Sequence, residues 1–145
     1  KLQGKIAVIT GGARGMGRAI AESDAKEGAR VVIAGLLLDE AKETARAIGP
    51  DALAVAVDVS KRSSIADMAR FVAEKAGPAN ILVNGAAIFN MAPLSEISEE
   101  HFDRQFDINV RGLLFTTQAT VSYTHLRTHE LLSILYAVFS LKKKN

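Results

Sequence analysis

The sequence predicts a doubly wound α/β protein, a parallel sheet covered by helices on both faces. Three observations lead there. Short, β-branched apolar runs alternate with segments of helical periodicity. The runs are apolar at successive positions rather than alternate ones, as expected of strands buried on both faces. Glycines and Gly-Pro pairs mark the changes from one type of segment to the other.

The elements follow in order. Lys5–Thr10 (KIAVIT) reads as a buried strand closed by glycines, and Met16 to about Lys26 as a helix with Ile20 and Ala21 on its inner side. Arg30–Ala34 (RVVIA) is a second strand. Leu38–Ile48 is a helix stopped by Gly49-Pro50. Ala52–Val57 (ALAVAV) is a third strand. Lys61–Lys75 is a helix whose Ile65, Met68, Ala69 and Val72 recur at helical spacing, ended by Gly77-Pro78. Ile81–Asn84 is a fourth strand. Ser98-Glu99-Glu100 opens a further helix towards Asn109, with a capping hydroxyl followed by acids in the first turn. Strands separated by single helices pair in parallel through right-handed crossovers.

A length of 145 residues, 48% of them hydrophobic, suits one domain with a real core. The absence of cysteine removes disulfides, thiolate metal sites and a thiol nucleophile, and fits a cytoplasmic protein. No apolar run reaches the roughly 18 residues that span a bilayer, so no membrane partner is expected. The net charge of +2 is unevenly placed. Residues 1–121 carry 14 basic and 15 acidic side chains, whereas 122–145 carry Arg127, Lys142, Lys143 and Lys144 against Glu130. A nucleic-acid partner is therefore not expected, since a binding face would spread its charge over the folded body.

Between the first strand and its helix lies Thr10-Gly11-Gly12-Ala13-Arg14-Gly15-Met16-Gly17. A helix N-terminus presents unpaired N–H groups and a partial positive charge, and glycines let a pyrophosphate approach it without a Cβ in the way. The spacing is TGxxxGxG. It is not GxGxxG, and it lacks the GK[ST] of a nucleoside-triphosphate loop. Alone, such a loop is also compatible with an ordinary strand-to-helix turn.

TGGARGMG resembles the cofactor loop of the short-chain dehydrogenase/reductase family. Asp58-Val59, Asn84-Gly85-Ala86-Ala87 and Asn109 in FDINVRG agree with that family in order and spacing. The resemblance covers residues 2 to about 121, and NGAAIFNMAPLSEISEEHFDRQFDINVRG is most similar to its sorbitol (polyol) dehydrogenase branch. It implies a Rossmann-like sheet, truncated here after the fourth strand and the helices that follow. Residues 1–121 are then the NAD(P)-binding half. It implies cofactor contacts at Gly11, Arg14, Gly15, Met16, Gly17, Asp58, Val59, Asn84 and Ala86. Asp58 would take the adenine amino group, Val59 a backbone contact, and Asn84 would order the strand ends. Asn109 is the one catalytic candidate, kinking its helix and holding a water in the proton relay. The residues alone leave other roles open: Asp58 as a helix cap, Asn84 as a turn residue, Asn109 as a polar residue paired to backbone, and Arg14 as a solvated loop charge. Gly85 departs from the usual NNAG or NNAA, and the lost amide is expected to weaken ordering there.

The implied cofactor is NAD or NADP. An acid about 20 residues beyond the glycine loop usually binds the ribose hydroxyls. The matching position is Gly35, and Asp39 lies four residues on. NAD is slightly preferred, because the polyol branch prefers it. The implied substrate is a small alcohol or ketone, and the full-length relative is expected to be a homo-oligomer.

The family's Ser, Tyr and Lys are not matched. Tyr123 stands only 14 residues past Asn109 with Arg127 at i+4, and arginine cannot relay a proton. Tyr136 has Ser140 at i+4. From Ser122 the sequence SYTHLRTHELLSILYAVFSLKKKN leaves the family pattern and resembles peptides translated from adapter sequence. Residues 122–145 are therefore expected to be a non-native tail on a truncated reading frame. Leu131–Leu141 has helical periodicity, and His125 and His129 lie at i, i+4 without a third ligand, so no metal site is expected. The expected function is NAD(P)-dependent oxidoreduction at CH–OH groups, with this chain as a cofactor-binding fragment. A non-catalytic dinucleotide-binding module and an interaction protein are the alternatives.

Overall fold

A computed structural model describes residues 1–122 of the chain. The expectations for Tyr123, Tyr136, His125, His129 and the Leu131–Leu141 helix lie outside the described residues.

The observed order is β1 (Ile6–Thr10), α1 (Gly15–Lys26), β2 (Arg30–Gly35), α2 (Leu38–Ile48), β3 (Leu53–Ala56), α3 (Arg62–Lys75), β4 (Ile81–Asn84), a 3-10 turn at Leu94–Glu96, α4 (Glu99–Phe106), a π-helical stretch Asp107–Gly112 and α5 (Leu113–Ser122). The four strands form one parallel sheet in the order β3-β2-β1-β4. β1 is central, with Val8 opposite Val32 on one side and Leu82 on the other. This is the doubly wound, Rossmann-like architecture the sequence implies, with cores on both faces. Val8, Val32, Val57, Ile65, Met68 and Val72 fill one, and Ala7, Ile9, Ala21, Val31, Ile33 and Ala41 the other.

Two expectations change. Ile20 does not face inwards: it is 37% exposed, while Ala21 is fully buried. On a helix turning about 100° per residue, Gly17 and Ala21 at i, i+4 form the line against the sheet. That line must be small, because a Cβ at Gly17 would land on the Gly11 carbonyl. The helix opened by Ser98, whose hydroxyl accepts from the His101 N–H at 3.1 Å, does not run on as plain α-helix. It passes through the π-helical stretch that holds Asn109, then resumes as α5. Gly112 closes that stretch against Val59, whose carbonyl oxygen would lie 2.8 Å from a Cβ there.

Among the described residues, no helix is long and apolar enough to cross a membrane.

Candidate functional site: the cleft at the carboxyl ends of β1, β2 and β3

In a parallel sheet the C-terminal strand ends, where loops turn into helices, collect N–H groups and form the crevice where ligands bind. The loop after β1 is shaped for close approach. Gly11 has φ +67°, and a Cβ there would meet the Gly85 carbonyl oxygen at 2.6 Å and the Ala86 nitrogen at 2.8 Å. Gly15 has φ +57°. Arg14 is extended at the N-cap of α1 and makes no side-chain cap, and the first turn holds no acid. The first turn of α1 thus carries no negative charge of its own. The loop is fixed from behind, where buried Thr44 of α2 donates to the Ala13 carbonyl at 2.7 Å and the Gly12 N–H to Ala34 at 3.3 Å.

A cleft of about 400 Å3 opens beside this loop. Its floor includes Gly11, Val57, Asp58 and Val59, one wall Arg14, Leu36, Leu37 and Glu40, and the other Gly85, Ala86, Ala87, Ile88 and Ile108. Of the candidate residues, Gly11, Arg14, Asp58, Val59 and Ala86 line it. Gly15, Met16 and Gly17 form the helix start, with Met16 84% exposed. Asn84 and Asn109 stand behind the wall.

Asp58 is wired into the turn between β3 and α3. Its Oδ1 accepts from the Ser60 N–H at 3.0 Å and the Ser60 hydroxyl at 2.6 Å, and its Oδ2 lies 3.2 Å from Lys61 Nζ. Its own N–H donates to Ser64 Oγ at 2.9 Å. The helix cap is Lys61, without a side-chain bond, so Asp58 shapes the approach rather than capping α3. The Ser60 hydroxyl bond, partly offset by burial and supported by the Ser60 N–H and Lys61, holds the Asp58 carboxyl below its ordinary value. Because the folded pKa is the lower one, this stabilisation is fully present above the unfolded value of about 3.9 and is lost as pH falls through the folded pKa. Asp58→Asn is therefore expected to lower stability at pH 7, and the gap from the unaltered chain should close on acidification below about pH 4. Urea denaturation at a series of pH values reads this, and a pH-independent gap would contradict it.

Beyond β4 the backbone is tied to β1. Gly85 N–H donates to Thr10 O at 3.0 Å, and Ala86 N–H to the Thr10 hydroxyl at 3.3 Å. A Cβ at Gly85 would meet Thr10 O at 2.6 Å. The weaker ordering expected from the missing amide is thus countered by a backbone approach that only glycine permits without a shift. Asn84 Nδ2 donates to Thr117 Oγ1 at 3.1 Å, and its Oδ1 is buried without a partner among the described residues.

Asn109 makes a two-point clip. Its Oδ1 accepts from Ile88 N–H at 2.8 Å and its Nδ2 donates to Ile88 O at 2.8 Å. One turn earlier Gln105 repeats the pattern more loosely, with Oε1 3.5 Å from Asn90 N and Nε2 3.2 Å from Asn90 O. His101 Nε2 lies 3.0 Å from the same carbonyl. Four helical residues rise about 6 Å and two extended residues span about 6.6 Å, so the two side-chain amides serve 88–90 as a neighbouring strand would. Sequence reasoning missed Gln105, His101, Thr10 and Thr44 as partners, because each acts through contacts across the fold, and it missed Ser60, whose signal was local: a serine two residues after Asp58. The i, i+4 spacing of Gln105 and Asn109 was the other available signal.

A short chain dehydrogenase family model matches residues 5–129. The chain belongs to the short-chain dehydrogenase family. It is 50% identical to a sorbitol dehydrogenase of Cereibacter sphaeroides and 46% identical to a galactitol 2-dehydrogenase of Agrobacterium fabrum. Each match covers 82% of this chain and 46% of the relative. A solved short-chain dehydrogenase/reductase variant from Serratia marcescens superposes with a TM-score of 0.80 at 31% identity, covering 85% of this chain and 52% of that one. This member of the short-chain dehydrogenases thus spans about half the length of the curated relatives it matches. The family generally binds NAD(P), and the glycine loop fits such a group: Gly11, Gly12 and Gly17 let the loop close tightly on its own backbone, Gly15 has nothing within 4 Å of an added Cβ, and the first turn of α1 beside the cleft holds no acid.

Proposed function

We propose that residues 1–121 are the dinucleotide-binding half of an NAD(P)-dependent oxidoreductase acting on CH–OH groups, with a polyol as its substrate and NAD the favoured cofactor. One observation carries the reading: the amino end of α1, without a side-chain cap or an acid in its first turn, stands beside the cleft behind a loop in which Gly11, Gly12 and Gly17 have no room for a side chain. Gly11, Gly15, Met16 and Gly17 would hold the diphosphate through backbone N–H groups. Asp58 and Val59 would meet the adenine, with Arg14 at the ribose. Ala86 and Asn84 would support the far wall. Bound there, the dinucleotide supplies or accepts the hydride. Asn109 positions 88–90 beside it, and its place in the π-helical stretch suits the role of holding a water for proton transfer.

The polyol reading rests on the names of the two relatives. A homo-oligomer is proposed for the full-length relative: Phe102 and Phe106 stack at 4.2 Å on the outside of α4, and Phe102, Phe106, Val110 and Leu114 are half-exposed or more. The proposed compartment is cytoplasmic, and residues 122–145 are proposed to be a non-native tail. A dinucleotide-binding module without turnover is the second reading, favoured by the absence of tyrosine from residues 1–122.

NADH fluorescence titration, together with sorbitol and galactitol oxidation in the presence of NAD, tests both. Binding with turnover supports the enzyme. Binding without turnover supports the module. Failure to bind either dinucleotide would overturn both.

A further inference from the structure

The end of β2, where a carboxylate ordinarily meets the cofactor's ribose, holds no charge. Gly35 is buried there, and a Cβ on it would find only ordinary contacts, with Ala13 Cβ at 3.5 Å and Ala41 Cβ at 3.8 Å. Packing leaves room for a Cβ, and the position carries no acid. The nearest acid in sequence, Asp39, does not line the cleft, but Glu40 does. The first turn of α2 folds it back over the wall, where Glu40 Oε2 lies 3.8 Å from Arg14 Nε, with the two side chains 40% and 81% exposed. Among the described residues, three charged ones line the cleft: Arg14, Glu40 and Asp58. Asp58 is already engaged by Ser60 and Lys61.

We infer that Glu40, oriented by Arg14, is the cofactor-selecting carboxylate of this chain, standing in for the acid that Gly35 does not supply. The inference rests on the dinucleotide reading of the cleft. A ribose 2′-hydroxyl can donate to the Glu40 carboxylate while Arg14 stays beside it. A 2′-phosphate brings a charge of about −2. It is repelled by Glu40 and must draw Arg14 off its partner. Discrimination of this kind comes from an unfavourable contact with the wrong ligand as much as from a favourable one with the right ligand. The pair is long and solvent-exposed, so the selectivity it gives is modest.

The test is calorimetric titration of the full chain with NADH and with NADPH, in the unaltered protein, Glu40→Gln, Gly35→Asp and the double variant. The unaltered chain is expected to bind NADH more tightly. Glu40→Gln should move the NADPH-to-NADH ratio of Kd values about fivefold towards NADPH, the scale of one exposed charge contact. With Gly35→Asp present, the same change at Glu40 should move the ratio much less, because the acid is then supplied from β2. An unchanged ratio in Glu40→Gln, or equal shifts in both backgrounds, would overturn the inference while leaving the dinucleotide site standing. No binding of either cofactor by the unaltered chain would overturn the site itself, and the inference with it.

Discussion

Gly17→Ala is expected to destabilise the fold by about 2–3 kcal/mol and to weaken NADH binding at least tenfold. The new Cβ would sit on the Gly11 carbonyl oxygen and 2.8 Å from its carbon, with Gly12 Cα at 3.0 Å. These are backbone atoms, so no side-chain rotation relieves the clash. Overpacking of this kind costs about 1–3 kcal/mol or more, and it outweighs the ~1 kcal/mol that alanine gains over glycine within a helix. Relief requires α1 to lift away from the loop, which moves the N–H groups meant for the diphosphate. Gly15→Ala is the control. Gly15 has φ +57° but nothing within 4 Å of the added carbon. It should suffer only the left-handed backbone penalty of about 1–2 kcal/mol, while α1 keeps its seat. Denaturant melts and NADH titrations of both variants read the difference. Equal losses of affinity would show that conformation, and not close approach, governs the loop.

Asn109→Leu should be the most damaging change outside the glycine loop. It removes two bonds of 2.8 Å and leaves the Ile88 N–H and carbonyl unpaired behind the cleft wall. Each buried group left unsatisfied costs about 1–3 kcal/mol. Partial burial puts the total near 2–4 kcal/mol, a large share of the ~5–15 kcal/mol that holds a domain together. Asn109→Asp separates the two bonds, since it keeps an acceptor for the Ile88 N–H but turns a negative oxygen towards the Ile88 carbonyl. Amide hydrogen exchange at Ile88 should accelerate strongly in Asn109→Leu and less in Asn109→Asp, with exchange in β1 changed little in either. Unchanged exchange at Ile88 would show that the clip does not hold the segment.

Where local chemistry decides structure, the sequence was a good guide. Gly49-Pro50 stops α2 at Ile48, and the apolar run of β4 ends at Asn84, where the residues said they would. Ser98 caps α4 as a serine ahead of two glutamates should. The π-helical stretch was not legible in the residues alone, because DINVRG has ordinary helical content; only the family resemblance implied a kink at Asn109. Ile20 misled for its own reason: hydrophobicity suggests an inward residue, but the demand for closeness at Gly17 turns the small side of α1 to the sheet. In the site, the glycines, Asp58 and Asn109 were visible as motif residues, and the structure brings Gly11, Arg14, Asp58, Val59 and Ala86 to one cleft. Glu40 was hidden, since distance along the chain favoured Asp39 and only the first turn of α2 shows which acid faces the cleft.

The claim on which the rest depends is that the peptide N–H groups at the start of α1 receive a dinucleotide diphosphate. Backbone amide NMR of the full chain during NADH titration measures this directly. The expected result is saturable shifts, largest at the amides of Gly11, Gly15, Met16 and Gly17, that need at least tenfold more NADH in Gly17→Ala. NADH binding that leaves those amides unmoved, with shifts confined to other parts of the chain, would contradict it.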